Sequence, residues 1–521
     1  MSLVACSWSA AVWAAAGLLA ALAAVAFNWA WWRPRRLERA LRAQGLRGTP
    51  YRFLHGDLPE EGRLNADALS KPMPLSHDVA ARAVPFLHRA MSEFGSTSFS
   101  WYGTTPRITV TDLDSINEIF LDKFGRFGRF GNVHPIGRFL STGLISYEGA
   151  KWIKHRRILN PAFHAEKLKR MLPAFSACCS DLVSRWEGLI GSEDYCELDV
   201  WPQLQYFTGD VISRAAFGSN YEEGRRIFQL QSQIADLVIN AIQTVYIPGS
   251  RFLPTPMNNK IKGVDGEIGM LLKDILRKRE EALKMGEASS DDLLGLLMES
   301  NMKQYREHGN NKDVGMTIEE VIAECKLFYF AGQETTSVLL TWTMVVLSMH
   351  PDWQTKAREE VLQVFGQRKP ELDGLNHLKI VTMILYEVLR LYPPLPLMRR
   401  RTNKTIKIGN IICPPGSLLA LPVISIHHDP NFWGNTANEF KPERFAEGIA
   451  NASKDQVAFF PFSGGPRVCI GQNFALLEAK MFLSMILQRF SFELSPAYAH
   501  APRLIVTLQP QYGAPLRLHK L

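Results

Sequence analysis

Apolar positions along this chain recur mostly at helical spacing. Such stretches run over about 163–190, 225–245, 262–284, 317–349, 352–366, 384–392 and 473–490, and they predict helices. Strand-like runs are few and short, at 99–102, 107–111, 405–408 and 417–423. Residues 411–416, which include Cys413, Pro414, Pro415 and Gly416, read as a turn between strands, with Cys413 as packing. The polar stretch 301–315, rich in Asn, Lys, Glu and Gly, reads as a surface loop between two helices. The pattern predicts a mainly α protein with small β-sheets, without internal repeats.

The first 32 residues break this pattern. From Trp8 to Trp32 no residue is charged, and most are Ala, Leu, Val or Trp. Twenty-five residues of helix span roughly 37 Å, enough to cross a bilayer with some tilt. Trp29, Trp31 and Trp32 close the run where an aromatic belt lies, and arginines follow at once. The run lacks a charged n-region and exceeds an ordinary signal-peptide core. Residues 1–32 are therefore read as a signal anchor with the following chain cytosolic. Residues 33–52, with Pro34, Gly45, Gly48 and Pro50, read as a basic linker that decouples the anchor from one domain over 53–521. The formal net charge is +8, but six arginines and one glutamate between 33 and 47 account for five of those charges. The basic balance is a juxtamembrane cluster and excludes a nucleic-acid footprint. Seven scattered cysteines form no disulfide framework.

The helix beginning at Thr317 has the clearest start, because Thr317 and Glu320 fit a capping box. Its middle reads Ala331, Gly332, Gln333, Glu334, Thr335, Thr336. Glycine and paired threonines are poor helix-interior residues, and a threonine hydroxyl bends a helix by bonding one turn back. A helix that keeps them has something pressed against it. A hydroxyl that donates and accepts, beside a carboxylic acid, is also a proton relay.

Residues 462–471 read Phe-Ser-Gly-Gly-Pro-Arg-Val-Cys-Ile-Gly and open into the last long helix. A helix N-terminus, loop N–H groups and Arg467 all favour a thiolate at Cys469. A lone thiolate without ligand partners at zinc spacing is a poor structural zinc site. It suits the axial ligand of a haem iron, where thiolate electron donation favours O–O cleavage.

Phe462, Gly465, Arg467, Cys469 and Gly471 together resemble the haem loop of the cytochrome P-450 family, with Ser463 where that family most often has glycine. The block Ala331–Thr336 resembles the family's oxygen-binding segment. The pairs Glu387/Arg390 and Trp152/Arg156, and the segment Pro442-Glu443-Arg444-Phe445, fall in family order. Narrower matches at 160–164, 427–430 and 508–513 resemble the plant secologanin-synthase-like clan, whose members act on iridoid glucosides, gibberellins, triterpenoids and related molecules.

The resemblance implies haem b (iron protoporphyrin IX) ligated by Cys469, with propionates held by Trp152, Arg156, Arg400 and Arg467. It implies that Ala331 and Gly332 clear space over the haem, and that Glu334 and Thr335 deliver protons. Glu387, Arg390 and Arg444 are implied as a structural lock. The expected activity is a membrane-anchored monooxygenase of the endoplasmic reticulum. It takes O2, and electrons from NADPH through NADPH–cytochrome P-450 reductase, to oxidise a hydrophobic terpenoid. Carbon–carbon cleavage or desaturation is the alternative outcome, and a non-catalytic haem sensor the alternative class. The pocket is expected from 126–145, 228–258, Phe330, Ala331, 395–398 and 506–508. Lys151, Lys154, Arg157 and Lys480 are candidates for a basic reductase-docking face.

Overall fold

The computed structural model describes residues 2–122, 125–129, 135–140, 142–219, 221–285, 292–295, 297–299 and 315–521. Most of the expected surface loop at 301–315, and part of the 126–145 loop, lie outside the described residues.

The anchor helix spans Ser2–Phe27 and passes through a π-turn, Asn28–Trp32, into a second helix, Arg33–Arg42. From Ala11 to Arg42 this helical run is long and apolar enough to cross a membrane, and its most apolar window is unburied. The decoupling linker expected at 33–52 is corrected here. Pro34 lies in the first turn of the second helix, where a missing N–H is tolerated. Pro34 has no N–H for the carbonyl one turn back, and the Tyr51 hydroxyl donates to Ala30 O at 2.5 Å instead. The wider π-turn immediately upstream carries the chain past this defect. Buried Glu38 takes Arg35 and Arg42, each at 3.2 Å. Gln44 exchanges two hydrogen bonds with Ile412, at 3.2 and 2.7 Å. The segment after the anchor is thus fastened to the domain by side chains, despite its helix breakers.

The domain is built around the central helix, Ile318–Met349, whose capping box forms as expected. Thr317 Oγ1 accepts from Glu320 N–H at 3.2 Å, and Glu320 Oε2 from Thr317 N–H at 3.1 Å. Nearly every residue from Thr336 to Leu347 is fully buried. There Thr341 and Thr343 satisfy their hydroxyls on carbonyls one turn back, each at 2.7 Å. Other helices cover it: Val200–Phe217, Tyr221–Ile242, Pro256–Met285, Lys379–Leu391 and the last long helix, Gln472–Leu487. The helix Gly149–Leu159 lies across its beginning through Lys151 and His155.

Strands are confined to small sheets. The largest has the order β1 (Ser98–Tyr102), β2 (Thr105–Thr109), β8 (Leu418–Leu421), β5 (Met398–Thr402), β3 (Phe127–Gly128), with β2 and β8 parallel. β4 (Tyr195–Asp199) and β9 (Phe490–Leu494) flank β12 (Pro515–Lys520). β10 (Pro502–Leu504) pairs with β11 (Leu508–Pro510), and β6 (Ile406–Ile408) with β7 (Ile411–Cys413). The turn expected over 411–416 therefore begins later. Gly409, at φ 53°, makes the tighter turn upstream, and Ile411–Cys413 is paired as a strand with Cys413 buried.

Candidate active site

The cysteine loop is held by its own backbone. Cys469 N–H donates to Phe462 O at 3.0 Å, and Val468 N–H to Gly465 O at 3.1 Å. Gly465 has φ +64°, and a Cβ there would sit 2.3 Å from Phe120 O, so only glycine fits. Ser463 also has positive φ, 65°, and its buried hydroxyl has no partner. Serine at this family glycine position is a strained substitution, costing roughly 1 kcal/mol in backbone energy. Gly471 caps the helix Gln472–Leu487.

The thiol of Cys469 keeps accessible surface while protein surrounds it closely enough for burial to raise its pKa. Both hold for a side chain facing an internal space. The Gly471 N–H and the Arg156 cation oppose the rise. Both stabilise a thiolate once a metal binds, and a coordinating thiol is deprotonated outright.

Around this loop the structure gathers the expected arginines and adds one. Arg156 Nη1 donates to Val468 O at 2.9 Å, and Arg467 Nη1 to Tyr147 O at 3.0 Å. The Arg467 guanidinium stacks on Trp152, 4.3 Å from the ring centroid. Arg400, on β5, is pushed down to about 10 by burial and then by Arg467. Arg129 carries no signal in the sequence, because a single arginine in a loop has no motif. Burial lowers its pKa to about 8, and Arg400 and Arg467 add to this. Arg129 and Arg400 are depressed by burial and by other cations, so this cluster calls for an anion. A group carrying two carboxylates and an iron that takes a thiolate fits these residues. Haem is such a group.

Behind the loop, Glu387 and Arg390 are completely buried. All five guanidinium N–H groups of Arg390 are used. Two go to Glu387, at 2.9 and 2.7 Å, and three to the carbonyls of His427, Ala437 and Glu439, at 2.7, 2.6 and 3.1 Å. Arg444 Nε reaches Glu387 Oε1 at 3.3 Å, and its remaining nitrogens bind Trp433 O and Thr436. The expected trio is thus brought together. It pins the helix Lys379–Leu391 to the 427–444 segment that leads to the cysteine loop.

The middle of the central helix differs from expectation in two places. Thr335 Oγ1 donates to Ala331 O at 2.7 Å, as a helix-bending threonine does. Gly332, expected beside Ala331 over the haem, turns to the Val200–Phe217 helix. A Cβ there would lie 2.7 Å from Ile212 Cδ1, so this glycine serves helix–helix approach. Thr208, on the same helix, donates to Gln333 O at 3.0 Å, and Gln333 to Gln205 O at 3.2 Å. These side chains are what presses on the weak segment. Glu334 contacts Thr507 and Gln509 in the β10–β11 hairpin, and not Thr335. Adjacent helix positions diverge by about 100°, so sequence neighbours need not touch.

A second pair absent from the sequence reading is His155 and Glu324, both fully buried and 2.7 Å apart. Glu324 also accepts Leu144 N–H at 3.0 Å. The pair locks the Trp152/Arg156 helix to the central helix. The proposed docking cations fare unevenly. Lys154 donates to Gly315 O, and Lys480 to Leu375 O from a half-buried position. Lys151 pairs with Glu320 at 2.8 Å, and Arg157 is exposed.

A cysteine in such a loop, a cluster of arginines extending from it and a buried Glu–Arg lock behind it fit a haem-thiolate enzyme. The chain belongs to the cytochrome P450 family, whose model matches residues 79–513. It is 61% identical over 513 residues to cytochrome P450 CYP72A616 of Paris polyphylla, covering 98% of this chain and 99% of that one. It is 52% identical to 7-deoxyloganic acid hydroxylase of Catharanthus roseus, covering 95% of each. It is 51% identical to secologanin synthase 1 of the same plant, covering 95% of this chain and 94% of that one. Among solved structures, the retinoic acid-bound cyanobacterial CYP120A1 shares the fold. Its TM-score is 0.72 at 23% identity, over 84% of this chain and 94% of that one. The protein is a cytochrome P450 monooxygenase, similar in sequence to these plant enzymes.

Proposed function

We propose that this enzyme hydroxylates a terpenoid of the iridoid, gibberellin or triterpenoid type, working from the endoplasmic reticulum membrane with NADPH–cytochrome P-450 reductase. The observation that carries the reading is the accessible Cys469 thiol beside Arg156, with Arg467 next to Arg156 and Arg400 and Arg129 grouped with Arg467. The names of two relatives, 7-deoxyloganic acid hydroxylase and secologanin synthase 1, favour the iridoid class.

Haem bound here supplies the iron that activates O2, with thiolate donation favouring O–O cleavage. Cys469 would supply the thiolate to its iron. Trp152 and the arginines would hold its carboxylates. The Ala331 side chain leaves room beside the Thr335 hydroxyl, which both accepts and donates a proton. Glu334 is the acid that resupplies it from solvent. Apolar residues of 395–398 and 506–508 exclude water from the substrate.

Co-expression of the full chain with a plant reductase tests this. The panel comprises iridoid glucosides, 7-deoxyloganic acid, gibberellins, triterpenoids and fatty acids, with and without NADPH, read by mass. A product one oxygen heavier from a terpenoid class is expected. A product lighter by two hydrogens, or a cleaved skeleton, moves the assignment to desaturation or carbon–carbon cleavage. Turnover of fatty acids alone overturns the terpenoid assignment.

A further inference from the structure

The motif Leu508, Gln509, Pro510, Gln511, Tyr512, Gly513 marks the clan but has no chemistry assigned to it. The structure places its second residue on the central helix. Glu334 Oε1 accepts the Thr507 hydroxyl at 2.5 Å and also the Gln509 amide. Gln509 Nε2 reaches Thr507 Oγ1 at 3.5 Å as well, so the three side chains form one closed cluster. Thr507 is 1% exposed and Glu334 8%, so these bonds are shielded from water. Two residues apart on an extended chain, Thr507 and Gln509 present their side chains to the same face.

The hairpin that carries them is tied to the core at the end nearest its turn, where Leu504 pairs with Leu508. Leu508 N–H donates to Pro394 O at 3.1 Å, and the Trp342 indole to Leu508 O at 2.6 Å. The turn closes through Ile505 N–H to Thr507 O at 3.1 Å. A hairpin needs neither side-chain donor to keep this pairing. Two donors on one carboxylate oxygen do something else. They fix the rotation of the carboxylate and leave Oε2 without a partner among the described residues.

We propose that Thr507 and Gln509 are positioning residues for Glu334. By holding Oε1 they aim Oε2 at the proton route, and they tie that aim to the substrate-side turn at 505–507. The proposal rests on the reading of Glu334 as the acid of the relay. Productive turnover consumes the substrate C–H, O2, two electrons and two protons, and yields the alcohol and water. When protons arrive wrongly, the same O2, two electrons and two protons leave as hydrogen peroxide. NADPH and one solvent proton supply both electrons and both protons in either case.

The test uses the full-length, haem-loaded chain with reductase in lipid nanodiscs. Peroxide released per NADPH oxidised is read with the panel compound that is turned over. The same ratio is read without substrate, where the split of O2 between peroxide and water reports proton supply directly. Thr507→Val and Gln509→Leu are each expected to raise the peroxide fraction about threefold, as mis-aimed groups do. The double variant should match Glu334→Ala. In the Glu334→Ala background neither substitution should change the fraction further. Thr507→Ser should restore the wild-type ratio, and the solvent deuterium isotope effect on NADPH oxidation should shift in Thr507→Val. Additive effects in the Glu334→Ala background, or unchanged ratios in both single variants while Glu334→Ala leaks, overturn the positioning role. A Glu334→Ala enzyme that leaks no more than wild type overturns the relay reading itself. Melting temperature and the substrate-induced haem absorption shift distinguish a misfolded variant, and Thr507→Ser then carries the comparison.

Discussion

The cysteine loop and the middle of the central helix solve the problem of holding chemistry in place in opposite ways. The loop is over-determined. Gly465 fits only as glycine, and Arg390 behind it spends all five donors on buried acceptors. The central-helix segment is under-determined by its own sequence. Its glycine and threonines are weak helix residues, and the segment is steadied from outside by Thr208, Gln205, Thr507 and Gln509. The proposed iron ligand thus sits on a rigid mount, and the proposed proton relay sits on a segment whose geometry is set by neighbours.

The sharpest way to break that comparison is to unlock the mount. Arg390→Leu leaves Glu387 charged and buried, and removal of one partner of such a pair costs about 3–5 kcal/mol. We expect loss of the thiolate-type reduced carbon monoxide spectrum together with a large drop in thermal stability. A spectrum retained at wild-type amplitude would mean that the lock does not support the cysteine loop.

Acid should loosen the same side. Burial holds His427 down to about 3 and His428 to about 4, against 6.5 in an unfolded chain, and nearby Arg390 adds to both shifts. Between those values the unfolded state binds more protons than the folded one. The stability of the neutral rings is therefore complete above pH 6.5 and declines as pH falls toward 4. The decline is about 1.4 kcal/mol per pH unit for each histidine. His427 accepts Phe460 N–H at 3.2 Å just upstream of the loop, so melting temperature and haem retention should fall together. A flat profile from pH 7 to 4.5 would remove these histidines from the scaffold.

On the helix side, Gly332→Ala forces a methyl against Ile212. Overpacking of this kind costs about 1–3 kcal/mol. Ile212→Val should recover part of it, and denaturation midpoints of the four proteins in the cycle measure the coupling. Additivity would mean that Gly332 does not face Ile212. The smallest expected change is a gain. Ser463→Gly relieves a positive-φ residue and removes an orphan hydroxyl, for roughly 1 kcal/mol of added stability with an unchanged haem spectrum.

Much of this site was legible before folding, because its parts are local. The loop 462–471 declares its cysteine through spacing alone. Thr317 and Glu320 declare their cap because both partners lie within one turn. Glu387 and Arg390 share a helix face at i,i+3. Arg444 and Arg467 entered through family spacing. His155, Glu324 and Gln509 were not assigned roles, and Arg129 and Thr507 only as parts of pocket-lining segments, since each acts on a residue far away in sequence. The packing partner of Gly332 stayed hidden for the same reason. Its neighbour is a helix more than one hundred residues earlier, and no periodicity records which helix that will be. The linker at 33–52 misled because Pro34 and Gly48 are breakers only in isolation. Gln44, bonded to Ile412, and Thr49, whose carbonyl accepts the Trp101 indole, bind the segment to the domain.

Local sequence is enough for a membrane-length apolar helix, one candidate ligand cysteine in a glycine-rich loop, a capped long helix and a set of arginines. Those properties depend on composition and on spacings of a few residues, where backbone geometry leaves few choices. Only the tertiary structure decided which arginines converge beside Cys469, where Glu334 points and what the glycine of the central helix makes room for. Those outcomes depend on how helices and hairpins dock, and docking is set by the summed packing of surfaces that local sequence does not encode.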